Sequence, residues 1–363
     1  AHSYERTAGY YFPFAVGAKI VYAQSIDTLN KQFAETKPTI VTSVPILFNK
    51  MYTRLIKNSE TLPFLRKKIF NFALSKAKKY GNNKKHLLWK LSDKLVFTKI
   101  RKRLGGNIRF FISGGSALNK EVAETFDSFG ITILEGYGMT EASPVIAVNR
   151  PGKNKFGTVG IPLDGVNVKI AGDGEIIVNG DNVMKGYYKD KAETDKTVIN
   201  GWLHTGDIGE FDEDGVLKIT DRKKTLFKTA GGKYISLTHI EETISRSKYI
   251  EQIIAFGGDR MFVAALIVPE FEEMTAFAKV NDISAMNNED LVKNPYIIRL
   301  IESEINKYQS NLAKYERVRK FTLVNRPFSI ETGELTPTMK IKRKVIEDMY
   351  KEEIENMYEI GKN

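Results

Sequence analysis

The sequence contains no cysteine, which excludes disulfides, thiolate metal sites and cysteine nucleophiles together and is consistent with a reducing compartment. Histidine is also scarce: His2, His86, His204 and His239 show no metal-ligand spacing. Long apolar runs are missing. The stretch 262–269 is far shorter than the roughly 20 residues a helix needs to cross a bilayer. The run 10–23 is broken by Pro13, carries Lys19, and lacks the basic start and small-residue cleavage site of a signal peptide. There is no G-x-x-x-x-G-K-[ST] phosphate loop and no G-x-G-x-x-G fingerprint. Residues 114–118 (GGSAL) lack the final glycine of a nucleophile elbow. Neither a hydrolase triad nor a zinc site is expected.

What is present suits a globular protein. A chain of 363 residues, 42% hydrophobic and 27% charged, predicts two or three domains. It opens on Ala1 in sequence that reads as mid-domain, so a fragment of a longer chain is expected. The formal net charge of +11 directs attention to an anionic partner. That charge is concentrated: residues 54–103 hold sixteen Lys and Arg against two Asp and Glu, more than the excess of the whole chain. Within them Leu65, Ile69, Phe72, Ala73, Ala77 and Tyr80, then Leu87, Leu88, Leu91 and Leu95, recur at helical spacing, with a turn at 81–83.

From Asn107 the pattern becomes strand (108–113), helix capped by Asn119 and running to Phe129, then strand (131–134), a unit that implies a parallel sheet. Residues 157–221 read as short strands with hairpin turns at 172–174 and 212–215, fitting a small barrel or β-lobe. Beyond Arg222 the elements are mixed. A capping box at Thr238 and Glu241 opens a helix, and strands 250–256 and 262–268 pair across 257–259. Helices follow at 272–280 and 297–312, then a strand at 321–324 and a last helix at 344–358. The fold class is therefore α/β: a parallel α/β lobe with a basic helical insertion (1–148), a small β-barrel-like lobe (149–222), and a smaller α+β C-terminal domain (223–363).

Four stretches carry candidate chemistry. G-Y-G-M-T-E, from Gly136 to Glu141, follows a strand. Its glycines permit close backbone approach, Tyr137 offers a stacking face, Thr140 a hydroxyl, and Glu141 a carboxylate able to hold a divalent cation beside phosphate. A glycine-rich strand exit with a solvated glutamate explains it equally well. G-W-L-H-T-G-D, from Gly201 to Asp207, places an aspartate where it could accept from a vicinal diol, or serve only its own turn. D-R-K-K, from Asp221 to Lys224, is a charged joint, a hinge or a plain linker. G-E-L-T-P-T-M-K, from Gly333 to Lys340, precedes the last helix, and its lysine is one among many.

In order and content these four stretches resemble the adenylate-forming superfamily of acyl-CoA synthetases, firefly luciferases and peptide-synthetase adenylation domains. The likeness runs from His2 to the last helix. The opening H-S-Y-E-R-T, the closing L-T-P-T-M-K and the long basic insertion are similar to bacterial long-chain fatty-acid–CoA ligases. The resemblance implies ATP, Mg2+ and coenzyme A, with a fatty acid activated to an acyl-adenylate and passed to the thiol. Tyr137 would then stack on adenine, with Gly114 and Gly115 along the nucleotide and acyl pocket. Thr140 would contact the α-phosphate, Glu141 would hold Mg2+, and Asp207 and Arg222 would bind ribose. Lys224 would be the hinge, Gly231 and Gly232 would line the coenzyme A channel, and Lys340 would bridge carboxylate and phosphate.

Two departures stand out. The family's Ser/Thr/Gly-rich phosphate loop with its own lysine is not in these 363 residues, so the isolated chain is expected not to turn over. Thr225 stands where many relatives carry an acidic residue after the hinge.

Alternatives within the superfamily are a ligase for shorter or aromatic acids and a domain loading a carrier protein. Outside it stands a basic binding module on 54–103, where Phe64, Phe70, Phe72, Trp89 and Phe97 interleave with the cations. The plainer reading of that stretch, aromatics inward and lysines in solvent, is preferred. If it binds anything, the expected partner is anionic membrane at the cytoplasmic face rather than nucleic acid.

Overall fold

The computed structural model describes residues 3–25, 28–81, 83–228, 234–258, 260–285, 287–336 and 339–359. The chain divides into two compact units, Ala1–Thr220 and Asp221–Asn363.

In the first unit a five-stranded sheet runs in chain order: Ile40–Ser43, Phe110–Ser113, Ile133–Gly138, Val145–Val148 and Ile161–Pro162. The first three strands are parallel and the last two antiparallel. Helix Lys120–Ser128 makes the crossover, and Asn119 caps it by accepting from Glu121 N and Val122 N, as the sequence predicts. Its apolar side, Val122, Ala123 and Phe126, packs with Phe48, Phe111 and Phe129. Phe48 and Phe111 meet edge to face at 5.5 Å.

The basic stretch is helical as expected: Phe64–Tyr80, then Leu87–Ser92 continuing through Asp93–Phe97 to Thr98–Arg103. Phe70, Trp89 and Phe97 are buried, and the Trp89 indole donates to Ser128 O at 2.8 Å. The other two aromatics are not. Phe64 is 70% and Phe72 38% exposed, and Leu65 and Leu87 stand in solvent beside them. The stripe entering the core is Phe70, Ala73 and Ala77, and positions 64, 65 and 72 fall outside it. The inward-facing reading therefore holds for three aromatics of five.

The β-rich part is an open sheet, not a barrel. Strands Leu217–Arg222, Trp202–Phe211, Glu175–Asn179 and Asn167–Ile170 lie side by side, with Val198–Ile199 paired to the end of the long strand. Closure would require the two edge strands to pair, and they stand at opposite ends of the order. The hairpin turns at 172–174 and 212–215 form as expected. Ile176, Val178, Leu203 and Leu217 of this sheet share a core with Tyr137, Ile146 and Ala147 of the first.

The second unit has a three-stranded sheet. Ile250–Phe256 is antiparallel and Val318–Leu323 parallel to the central Val263–Pro269. Every residue of the central strand is buried. Val263, Ala265 and Ile267 face one core with helices Leu237–Ile244, Phe271–Val280 and Pro295–Tyr308. Ala264, Leu266 and Val268 face another with Arg343–Met349 and Lys351–Tyr358, which is the period-two alternation of a strand covered on both sides.

Three sequence expectations are corrected here. Ser236, not Thr238, caps the helix at 237, accepting from His239 N at 3.0 Å. Glu241 does not return to that cap; its carboxylate takes Ala255 N at 2.7 Å and Arg343 at 2.6 Å. The last helix is broken at Tyr350, whose ring packs against Phe328 at 5.9 Å.

Candidate active site

The third strand of the first sheet carries the G-Y-G run inside it, rather than after it, because Gly136 and Tyr137 pair with Val148 and Ala147. Pairing sends the Tyr137 ring inward, leaving it 7% exposed. Of the two glycines, Gly138 has a packing reason. A Cβ there would overlap Pro144 O at 1.8 Å, whereas one on Gly136 would meet only ordinary contacts.

Across from it the long strand Trp202–Phe211 bulges. Glu175 pairs with Ile208 and Ile177 with His204, so three residues stand opposite Ile176 alone, with Gly206 at φ +72°. The alternation of buried and half-buried residues continues through the bulge, so Asp207 faces inward with Leu203 and Thr205. The Tyr137 hydroxyl donates to its Oδ2 at 2.7 Å, and Asp207 is 3% exposed. Glu175 holds the bulge in shape. It is buried, accepts from Gly206 N at 2.8 Å, and lies 2.8 Å from His204 Nδ1. Thr205 fastens the same segment by donating to Ile176 O at 2.7 Å. Two candidates 70 residues apart thus form one buried polar pair.

Thr140 and Glu141 occupy a single turn, Thr140–Ala142, directly beyond the strand. Thr140 Oγ1 lies 3.0 Å from Ser3 Oγ, and Glu141 Oε1 accepts from the Tyr187 hydroxyl at 2.9 Å. Burial, then the neighbouring Glu141 carboxylate, pushes the Tyr187 hydroxyl above its usual range and keeps it a donor. Gly114 and Gly115 follow the second strand, and Gly115 takes φ +93°. The loop they begin is tied at Gly114 N to Ser43 O (3.2 Å) and at Leu118 N to the buried Glu135 carboxylate (3.1 Å). The Tyr4 ring lies on Gly114, where a Cβ would sit 3.0 Å from it, and its hydroxyl donates to Ile112 O at 3.1 Å. Burial pushes the Tyr4 hydroxyl well above its ordinary range.

The remaining candidates belong to the second unit. Arg222 ends its strand exposed, with its N–H on Asp221 Oδ1 at 2.7 Å, and Lys224 lies in the turn Lys223–Thr225. Gly231 and Gly232 lie outside the described residues. Lys340 is exposed and bonded to Thr336 twice: Lys340 N donates to Thr336 Oγ1 at 3.0 Å and Thr336 N to Lys340 O at 2.8 Å. Two residues before Thr336, Glu334 has no exposed surface and pairs with Arg326 at 2.5 Å. Burial alone would raise the Glu334 carboxyl, but hydrogen bonds from Arg326, Thr332 and Ser329 outweigh it and hold it below the usual range.

Sequence reasoning did not single out Tyr4, Glu135, Glu175, Tyr187 or Glu334. Three of them sit in or beside the quoted motifs; Tyr4 and Glu135 act on backbone atoms, which leave no trace in residue spacing, and Glu334 pairs with an arginine outside its motif. Among the described residues no three His, Asp or Glu cluster as a metal cage. The site's cation-binding capacity is a single carboxylate beside a hydroxyl.

Residues 1–188 match the model for the AMP-binding enzyme family, and residues 224–362 that for the AMP-binding enzyme C-terminal domain. The long-chain-fatty-acid–CoA ligase FadD15 of Mycobacterium bovis is 34% identical over 349 residues, covering 93% of this chain and 57% of the relative. The peroxisomal long chain acyl-CoA synthetase 6 of Arabidopsis thaliana is 37% identical over 387 residues, covering 99% and 54%. The chain therefore spans little more than half the length of the curated relatives it matches. Among solved structures, the adenylation domain of a Mycobacterium chelonae carboxylate reductase superposes with TM-score 0.69 at 21% identity, covering 94% of this chain and 50% of that one. The o-succinylbenzoate CoA synthetase of Bacillus subtilis, solved with its acyl-adenylate intermediate, gives 0.64 at 20%, covering 96% and 59%. These two likenesses establish the fold.

Proposed function

The chain belongs to the AMP-binding enzyme family, and on that premise we propose that the protein it forms activates a long-chain fatty acid with ATP to an acyl-adenylate and passes the acyl group to coenzyme A. The observation that carries this reading is the buried Tyr137–Asp207 pair beside the Thr140–Ala142 turn. A tyrosine ring paired with a carboxylate, and a hydroxyl and a second carboxylate in the turn after the tyrosine's strand, are the kinds of group that a nucleoside monophosphate would need, which supports the reading. Relatives 32–37% identical that are named long-chain acyl-CoA ligases support the choice of acid.

In this reading adenine lies against Tyr137 while Asp207, locked by Tyr137 and by the bulge, accepts from the ribose hydroxyls. Arg222 adds a donor to the same sugar. Gly114 and Gly115 flank nucleotide and acyl group, and Tyr4 fixes their loop from behind. Thr140 donates to the α-phosphate. Glu141, whose carboxylate accepts from the Tyr187 hydroxyl, would hold a magnesium ion, since such ions need only one or two carboxylates from the protein. The metal supplies charge neutralisation at the phosphates. Attack of a carboxylate on phosphorus brings anions together, and the Lys340 ammonium opposes that repulsion. Lysine suits a group that must leave for the second half-reaction, being a compact charge on a flexible stem. Lys224 in its short turn serves as the hinge.

ATP–pyrophosphate exchange by a full-length protein containing this chain tests the reading across a fatty-acid series. Exchange should rise with chain length and favour long-chain acids; a maximum with aromatic or short acids would move the protein to another branch of the family.

One observation favours a peripheral membrane contact at the cytoplasmic face. Phe64, Leu65, Phe72 and Leu87 are exposed among the lysines of 54–103, the mixture of apolar and cationic groups that anionic bilayers attract. Co-sedimentation with anionic but not neutral vesicles is the expected outcome. Binding to single-stranded nucleic acid and not to vesicles would contradict it.

A further inference from the structure

The first unit contains a cavity of about 570 Å3 that none of the nucleotide candidates lines. It lies among helices Leu29–Thr36, Pro45–Glu60, Phe64–Tyr80 and Thr98–Arg103, with Phe126 of the crossover helix at its base. Its walls are apolar, with Leu47, Met51, Leu55 and Leu104 among them. Ile69 and Leu95 line it too and are 43% and 40% exposed, so the cavity opens to solvent beside them.

The charged residues lining it are all of one sign. Lys50, Arg54, Arg66, Lys99 and Arg103 contribute to it, all five exposed, and no Asp or Glu does. Such a volume falls within the roughly 300–1,000 Å3 of pockets that hold one small ligand. It suits a single flexible apolar chain better than the paired chains of a phospholipid. A rim of guanidinium and ammonium groups around an apolar interior is complementary to a carboxylate on a long alkyl tail: the tail is removed from water while the head stays at the mouth among cations.

We infer that this cavity is a second acyl site, holding one long-chain fatty carboxylate apart from the nucleotide-binding strand ends. The inference rests on the proposed function in its choice of ligand. Its consequence is a store of substrate on the enzyme itself, with the positive stretch 54–103 attracting the acid and the helices sheltering its tail.

The test is photo-crosslinking with palmitate carrying a diazirine near its methyl end, on the chain and on the full-length protein. Label is expected in peptides from 45–60, 64–80 and 95–104, displaced by palmitate and not by hexadecanol or an anionic two-chain phospholipid. Leu55→Trp, which fills the interior, should lower labelling about tenfold. Arg66→Glu with Lys99→Glu, two exposed positions, should lower it about fivefold and make residual labelling insensitive to salt. Unfolding curves matching the parent show that each variant is folded. Label confined to other segments, equal displacement by hexadecanol, or both folded variants labelling like the parent would overturn the inference. ATP–pyrophosphate exchange by the full-length parent protein separates the two ideas. No label in the three segments of the parent with its exchange intact sinks the cavity alone; absent exchange with that labelling present sinks the ligase reading and leaves the cavity's occupant standing.

Discussion

The two places where this protein keeps its candidate chemistry are built in opposite ways. Tyr137 and Asp207 are nearly sealed from solvent, fixed by strand pairing, a bulge and a hydrogen bond of 2.7 Å to each other. Lys340 is exposed, bonded through its backbone to Thr336, and the buried charge nearest to it in sequence is that of the Glu334–Arg326 pair. On the proposed reading the contrast would follow from the tasks. A nucleotide meeting the same groups through both half-reactions would need a floor set in advance, and an ammonium used in only one of them would belong on a part that can be withdrawn.

The largest effect that would sharpen this contrast is on Lys340. In the full-length protein Lys340→Ala should lower adenylate formation by about 10²–10³, the range seen when one preset transition-state donor is removed. Thioester formation from supplied acyl-adenylate should be nearly unchanged, and so should the unfolding midpoint. Equal losses in both halves would break the assignment. Asp207→Ala should act on binding and stability together. It leaves the buried Tyr137 hydroxyl without its acceptor, costing about 1–3 kcal/mol in denaturant unfolding, and raises the KM for ATP. An unchanged unfolding curve would mean the pair is not the anchor described here.

Glu334→Gln should have a smaller consequence, read through pH. The folded carboxyl sits below its ordinary value, so above about pH 4.3 its stabilising contribution is fully present. Below that, the unfolded chain carries a proton the folded one does not, so stability is lost as pH falls towards the folded value and the loss is complete once pH has passed below it. The variant should therefore show a shallower acid limb in unfolding of the second unit; an identical limb would contradict the pairing. Smallest of all, Tyr187→Phe should raise the magnesium requirement for adenylation a few fold without changing the KM for the acid, because it removes only the orienting donor from Glu141. No change in metal dependence would leave Glu141 without that support.

Periodicity and turn chemistry were enough to find most elements, since Asn119, the glycine turns and the paired strands of the second unit are local signals. What escaped was set by tertiary partners. The sheet of 167–222 alternates like a barrel wall, but strand order, not pattern, decides closure. Thr238 and Glu241 have the spacing of a capping box, yet Arg343, about a hundred residues away, claims the glutamate. In the candidate site, the residues proposed to bind lie in motifs legible in the sequence, while those that hold them in place do not show there. Tyr4, Glu135 and Glu175 act on backbone groups or distant side chains. Phe64 and Phe72 carry the converse lesson: helical spacing shows that a face exists, and only packing shows which face is used.

The central claim is that Asp207, aimed by Tyr137, receives the ribose. The most direct measurement is a calorimetric double-mutant cycle with a non-hydrolysable acyl-adenylate, its 2′- and 3′-deoxy forms, and Asp207→Asn, on the full-length protein. Removing the hydroxyl that Asp207 accepts should weaken binding about tenfold in the parent and hardly at all in the variant, a coupling above about 0.5 kcal/mol. Equal losses in both proteins for each deoxy ligand would show that Asp207 never touches the sugar, and the account of this site would fail.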